Sequence, residues 1–149
     1  MESAMEKRKN YAHFLPLDVR WGDADALGHI NNVQYVRYIE SARVHYCKVV
    51  NDLNFEAGIK NCWILADLQC SYIGQLHYPS HIEVATRTGK LGNSSCELIA
   101  SIFIDGKDEP VFTSKAVMVW FDYIDQKSLR IPDNVREEIH SFETIKPES

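Results

Sequence analysis

The sequence predicts an α+β fold, an antiparallel sheet wrapped around one long central helix, on three observations. A single stretch, Asn32 to Val50, carries apolar residues at helical spacing over about five turns. Four later stretches read as strands and follow one another without an intervening helix. One short strand precedes the helix. Successive strands joined by tight turns make an antiparallel sheet, whose apolar face needs a cover. The only long helix available is Asn32 to Val50, so the sheet is expected to curl around it.

The elements follow in chain order. In Phe14 to Trp21, Leu15, Leu17, Val19 and Trp21 alternate with Asp18 and Arg20, the period of a half-buried strand. Pro16 places that strand at an edge or makes its start late, because proline has no N–H for a ladder. Asn31 is a good helix N-cap, since its side-chain oxygen can accept a bond from a first-turn amide. Tyr35, Ile39, Ala42, Tyr46 and Val49 then form one stripe, flanked by Val36 and Val50, and the breadth of that stripe predicts a largely buried helix. The helix ends at Asn51 or Asn54, and Gly58 breaks a turn over residues 56–60. The later strands are Cys62 to Ile73, His81 to Leu91, Ser94 to Asp105 and Phe112 to Tyr123. Gly92-Asn93 and Asp105-Gly106 are the turn signals between them. Phe112 to Tyr123 is apolar enough to be central. Pro132 and Asp133 then open a short helix running through His140.

Length and composition bound the function. A chain of 149 residues fits one domain, residues 1–149, with a flexible leader over 1–10 and a flexible tail over 142–149. A net charge of -5 argues against a nucleic-acid partner, which requires a basic face. The N-terminus lacks the apolar core of a secretory signal, and no apolar run reaches the roughly 20 residues of a membrane span. Cys47, Cys62, Cys70 and Cys96 are scattered with no C-x-x-C pair. They read as small buried residues rather than metal ligands or disulfides, and a reducing, cytoplasmic setting is the expectation.

The chemistry concentrates in Arg20 to Arg43. Asp23, Asp25, Gly28, His29, Asn31, Asn32 and Tyr35 follow a pattern D-x-D-x-x-G-H-I/V-N-N-x-x-Y, continued on the helix by Glu40 and Arg43 as E-x-x-R. This pattern resembles the acyl-CoA thioesterases of the 4-hydroxybenzoyl-CoA thioesterase type. Weaker likeness extends over most of the chain, including Tyr72, Asp122 and the run Leu129 to Pro132. The resemblance implies the hot-dog fold, an acyl-CoA substrate, and assembly as a homodimer or homotetramer through a joined sheet with active sites at the dimer interface. It implies neither cofactor nor metal. One departure stands out. Many relatives carry Y-L-R-P followed by G-D where this chain has Tyr72-Ile73-Gly74-Gln75 and then Pro79-Ser80.

Thioester hydrolysis needs a nucleophile or a base that activates water, and a group to hold the developing oxyanion. Aspartate is ionised in neutral water and needs no activating partner. The resemblance gives the first role to Asp25 and the second to the Asn32 backbone N–H at the helix start, where amides lack intrahelical acceptors. His29 and Asn31 are expected to shape the loop or bind the thioester oxygen. Asp23 reads as structural. Glu40 is the rival base, because some hot-dog thioesterases use a helix glutamate, although an ion pair with Arg43 on the same helical face is its simpler role. Asp67 is a second rival, better explained by a polar strand face. His77 and His81 show no metal-ligand spacing. Two other functions fit the same fold: hydrolysis of thioesters on acyl carrier protein, and acyl-thioester binding without turnover.

Overall fold

The protein is described by a computed structural model covering residues 6–149. Residues 1–5, half of the expected leader, lie outside the described residues. The elements run β1 (Phe14–Asp18), α1 (Asn32–Asn51), β2 (Asn61–Tyr72), β3 (His81–Leu91), β4 (Ser95–Ile104), β5 (Phe112–Asp122), β6 (Lys127–Ser128) and α2 (Asp133–Phe142). Short 3-10 turns occupy Arg8–Asn10 and Trp21–Asp23.

The strands form one antiparallel sheet in the order β1-β3-β4-β5-β2, with β6 added to the end of β5. The sheet curls about α1, the hot-dog architecture expected from the sequence. β1 is an edge strand with Pro16 inside it, the first of the two alternatives, and β5 lies between β4 and β2. Gly92 N–H donates to Ser95 O at 2.7 Å in the β3–β4 turn. Gly106 closes the next turn at φ +80°, a conformation that favours glycine.

The core lies between α1 and the concave face. The first half of the helix buries Tyr35, Tyr38, Ile39 and Ala42 against Ile82, Val84, Ala100, Ile102 and Phe112. The second half buries Tyr46, Cys47 and Val50 against Trp63, Leu98, Met118, Trp120 and α2. Val49, expected on the buried stripe, is exposed. The step of four from Tyr46 places Val50 inward instead, close to the helical repeat.

Both ends of the described chain make contacts with the body of the domain. Arg87 donates to both carboxylate oxygens of Glu6, at 2.9 and 3.1 Å. Arg8 pairs with Glu83 at 2.6 Å and lies over the Phe103 ring. Tyr11 caps the same area, its hydroxyl 2.7 Å from Ser101 Oγ. The convex face of β3–β4 is therefore covered, and Ser101 and Phe103 are buried. At the other end, Leu91 N–H donates to Glu148 O at 2.7 Å, and Glu148 N–H to Gly89 O at 2.9 Å. Glu143 is buried at the end of α2, where its carboxylate accepts from Tyr46 Oη and Thr88 N–H. Burial pushes its pKa up.

His13 is buried beside His45, Nε2 to Nδ1 2.8 Å, with its ring against Tyr46. Burial, then the nearby His45, lowers its pKa to about 4 from an ordinary 6.5. Between those values the unfolded chain holds the extra proton, so stability rises with pH. The contribution is complete above about pH 6.5 and is lost progressively as pH falls toward 4. The urea midpoint should therefore fall between pH 7 and pH 5, and fall less in His13→Gln. Glu143 titrates with the opposite sign, so the difference between the two proteins is the quantity to read.

Candidate active site

β1 ends at Asp18, earlier than its alternation suggests. The chain turns through Trp21–Asp23, and Trp21, expected inward on the strand, is 78 % exposed. The cause is Asp23. Its Oδ2 accepts from Arg20 N–H at 3.1 Å and from the Tyr38 hydroxyl at 2.7 Å. Its own carbonyl accepts from Asn31 N–H at 3.1 Å. Buried and bonded through Oδ2 and its carbonyl, Asp23 ties the loop to α1.

Asp25 is exposed and sits at the start of a tight loop. Its Oδ1 accepts two backbone bonds, from Leu27 N–H at 2.9 Å and His29 N–H at 3.0 Å. Its backbone closes the same loop, with Asp25 N–H to His29 O at 2.8 Å and Gly28 N–H to Asp25 O at 3.0 Å. Gly28 adopts φ +82°, which a side chain would strain. Among the described residues Oδ2 has no hydrogen-bond partner. The carboxylate is thus held by one oxygen and open at the other.

The far side of this loop is supported by residues 76–78. Ile30 N–H donates to Leu76 O at 3.0 Å, and Tyr78 N–H to Gly28 O at 2.9 Å. The His29 and His77 rings meet edge to face at 4.9 Å. The segment that departs from the related sequences, Ile73 to Ser80, therefore has a definite role. Ile73 and Gly74 N–H both reach Val111 O at 2.9 Å, Leu76 is fully buried, and the following residues brace the loop.

Asn31 caps α1 as expected, its Oδ1 accepting from Val33 N–H at 2.9 Å. Asn32 is the first helical residue and is exposed. Tyr72 Oη, at the end of β2, donates to Asn32 O at 3.0 Å. Tyr35 Oη accepts from Leu76 N–H at 2.8 Å, and the Tyr35 and Tyr72 rings pack on each other and on Phe112. Asp25, His29, Asn31 and Asn32 are thus gathered where the loop meets the helix. Among the described residues no hydrogen bond joins Asp25 to Asn31 or Asn32. Sequence reasoning missed the support from Tyr72, Leu76 and His77. Tyr72 had been singled out by resemblance alone, and no periodicity marks 76–78 as the partner of 28–30.

The rival acids are placed elsewhere. Glu40 is exposed and pairs with Arg37 at 3.8 Å, not with Arg43 as expected, because Arg43 turns toward the sheet. Asp67 is exposed on the edge strand β2, at a bulge following Leu65. Two grooves flank α1. One, about 590 Å³, lies between the middle of the helix, Glu40 to Val44, and the start of β2; the other, about 580 Å³, runs past Asp23, Arg37 and Tyr38 beside β1. Neither is lined by Asp25 or Asn32. Among the described residues no three His, Cys, Asp or Glu side chains are grouped to hold a metal, and no helix is long and apolar enough to cross a membrane.

Comparison with known proteins extends these observations. The family model of the thioesterase-like superfamily matches residues 19–139. YsmA, an uncharacterized protein of Bacillus subtilis, is 28% identical over 133 residues, covering 89% of this chain and 88% of its own. The structure of the PA5185 protein from Pseudomonas aeruginosa superposes with a TM-score of 0.83 at 26% identity, over 96% of this chain and 98% of that one. A Thermus thermophilus thioesterase solved with coenzyme A and zinc gives 0.80 at 26% identity, over 92% and 98%.

Proposed function

The chain belongs to the thioesterase-like superfamily and is a thioester hydrolase, and from that premise we propose that it cleaves acyl-CoA to a free carboxylic acid and coenzyme A with Asp25 as the reacting carboxylate. The observation that carries this reading is the division of labour within Asp25. Oδ1 is committed to Leu27 and His29 N–H and holds the side chain still, while Oδ2 points its lone pairs at nothing the described chain supplies. The CoA-bound Thermus thioesterase supports coenzyme A as the carrier.

Two routes use the same oxygen. Oδ2 attacks the thioester carbon and expels the CoA thiolate, which takes a proton from solvent; water then opens the mixed anhydride. Alternatively, Oδ2 takes a proton from water as the water attacks, and passes it to the leaving thiolate. In both, the carbonyl oxygen becomes an oxyanion, and the Asn32 N–H is the donor that meets it. That amide sits in the first helical turn, where it has no acceptor four residues back and the helix dipole favours negative charge. Asn31 contributes by fixing the first turn, and His29 by closing the loop through its backbone.

The exposed edge of β2, with Ile64, Leu65 and Tyr72 uncovered, is where a second copy would extend the sheet and enclose the exposed acid. Release of free thiol from a panel of short, long and aromatic acyl-CoAs tests the activity; a folded protein that cleaves none of them defeats the reading.

Tyr72 is a positioning residue in this scheme, because its hydroxyl holds the carbonyl of Asn32. Tyr72→Phe keeps the ring contacts and removes that bond, at a stability cost of about 1 kcal/mol. We expect kcat to fall by about three- to tenfold with KM nearly unchanged, since a misplaced oxyanion donor weakens only the transition state. Steady-state kinetics on the best acyl-CoA reads the split.

A further inference from the structure

His29 and His77 face each other across the short antiparallel bridge between residues 28–30 and 76–78. The bonds on either side of the pair, Ile30 N–H to Leu76 O at 3.0 Å and Tyr78 N–H to Gly28 O at 2.9 Å, are made by its neighbours. A directly opposed pair flanked in this way is where two antiparallel strands come closest, with both side chains on one face. The two imidazoles accordingly meet edge to face, centroids 4.9 Å apart and planes at 66°. Among the described residues no ring nitrogen of either histidine is hydrogen-bonded, so the contact is one of packed rings.

His29 is held from a second direction. Its backbone N–H and C=O point away from the partner segment, as in any non-hydrogen-bonded pair, and both go to Asp25. The N–H donates to Asp25 Oδ1 at 3.0 Å, and the carbonyl accepts from Asp25 N–H at 2.8 Å. One residue therefore forms the wall on which the carboxylate rests and carries the ring that His77 packs against. Its surroundings are open. The bridge is a single pair long, Gly28 beside it adopts φ +82°, and Asp25, Ala26, Leu27, His77 and Tyr78 are exposed. In so short a ladder the cross-strand side-chain contact counts alongside the two flanking bonds.

We propose that His77 is a positioning residue for the hydrolysis. Its ring fixes His29, the His29 backbone fixes Asp25 Oδ1, and the open Oδ2 is thereby aimed at the thioester carbon or at the attacking water. The inference rests on the reading of Asp25 as the reacting carboxylate and adds the residue that keeps it aimed. His77 lies outside the D-x-D-x-x-G-H pattern, in the stretch Ile73 to Ser80 that departs from the related sequences. Among the described residues it makes no hydrogen bond to Asp25, so its effect passes through His29. The contact calls for a flat ring at position 77, not for a nitrogen that carries a proton.

The experiment sets His77→Ala, which deletes the ring, beside His77→Phe, which keeps a flat ring without nitrogens. Both replace an exposed side chain, so both should fold. Steady-state kinetics on the best acyl-CoA, run well below the melting transition, should show kcat lowered about tenfold in His77→Ala with KM nearly unchanged, because an ill-aimed carboxylate is felt at the transition state rather than in ground-state binding. His77→Phe should bring kcat back to within about twofold of wild type, since the edge-to-face contact survives. Backbone amide relaxation measured by NMR gives a readout free of turnover. The order parameters of Leu27 and His29 should drop from about 0.85, the value of rigid backbone, toward about 0.6 in His77→Ala, and return in His77→Phe. An unchanged kcat, or unchanged order parameters, in His77→Ala overturns the inference and leaves the thioesterase reading standing on the wild-type rate. Equal loss of kcat in the two variants also overturns it, because a ring would then not suffice. A wild-type protein that cleaves no acyl-CoA defeats the thioesterase reading, and the relaxation comparison alone then decides whether His77 holds the Asp25 loop.

Discussion

Asp25→Asn should lower kcat on the best acyl-CoA by about 10³-fold, roughly 4 kcal/mol of barrier, with the fold nearly unchanged. The two oxygens of Asp25 make this separation possible. Asparagine keeps an Oδ1 acceptor for Leu27 N–H and His29 N–H, so the loop retains both bonds. It replaces the open Oδ2 with an amide NH₂, which neither attacks a thioester nor takes a proton. The melting temperature should stay close to wild type. Asp25→Ala provides the contrast, because it removes the loop bonds as well. It should lose the same activity and in addition about 1 kcal/mol of stability. An Asp25→Asn protein that is folded and keeps a tenth or more of wild-type turnover would falsify the assignment and return attention to Glu40.

Phe112→Ala is expected to be the most damaging core change near the site, at about 3–5 kcal/mol. Phe112 is fully buried at the start of β5 and packs in the cluster of Tyr35, Ile39, Ala100 and Ile102. Its ring centroid lies 5.4 Å from Tyr35 and 5.0 Å from Tyr72. Truncation to alanine leaves a cavity under both tyrosines. Tyr72 then loses its backing and, with it, the position of the hydroxyl that holds Asn32 O. A fall in melting temperature of about 10 °C or more is expected, with turnover reduced even at temperatures where the protein is folded. Phe112→Leu keeps most of the volume and should cost less than about 1.5 kcal/mol. Thermal melts and low-temperature kinetics on the two variants check the order.

Much of the fold could be read from local chemistry. Asn31 announced the helix start because capping is a contact between near neighbours. Gly92-Asn93 and Asp105-Gly106 announced their turns because backbone conformation selects those residues. Pro16 narrowed its strand to an edge or a late start because a missing donor is tolerated in few places. What escaped was long-range. Trp21 continues the strand alternation, yet the chain turns because Asp23 finds Arg20 and Tyr38. Ser101 and Phe103 lie on the convex face, and the segment from Glu6 to Tyr11 folds back over them. The contacts of Tyr72 with Asn32 and of residues 76–78 with 28–30 join stretches about 40 residues or more apart, and no period or spacing encodes such a meeting. Glu40 and Arg43 are three apart and seemed a pair; tertiary packing drew Arg43 inward and left Arg37 to take its place. Asp25 itself stood out by residue pattern, whereas the asymmetry of its two oxygens is visible only in three dimensions.

The ladder between residues 28–30 and 76–78 has a consequence for exchange with solvent. Asp25 N–H is protected by His29 O, Gly28 N–H by Asp25 O, Ile30 N–H by Leu76 O, and Tyr78 N–H by Gly28 O. Each acceptor lies in a residue whose own amide is protected by the next bond or beside it, so the set opens as a unit and its amides should share one deuterium-uptake rate. Because Leu27 and His29 N–H report through Asp25 Oδ1, the mobility of the Asp25 carboxylate is written into that common rate. A ligand that orders the loop would slow exchange across both segments at once.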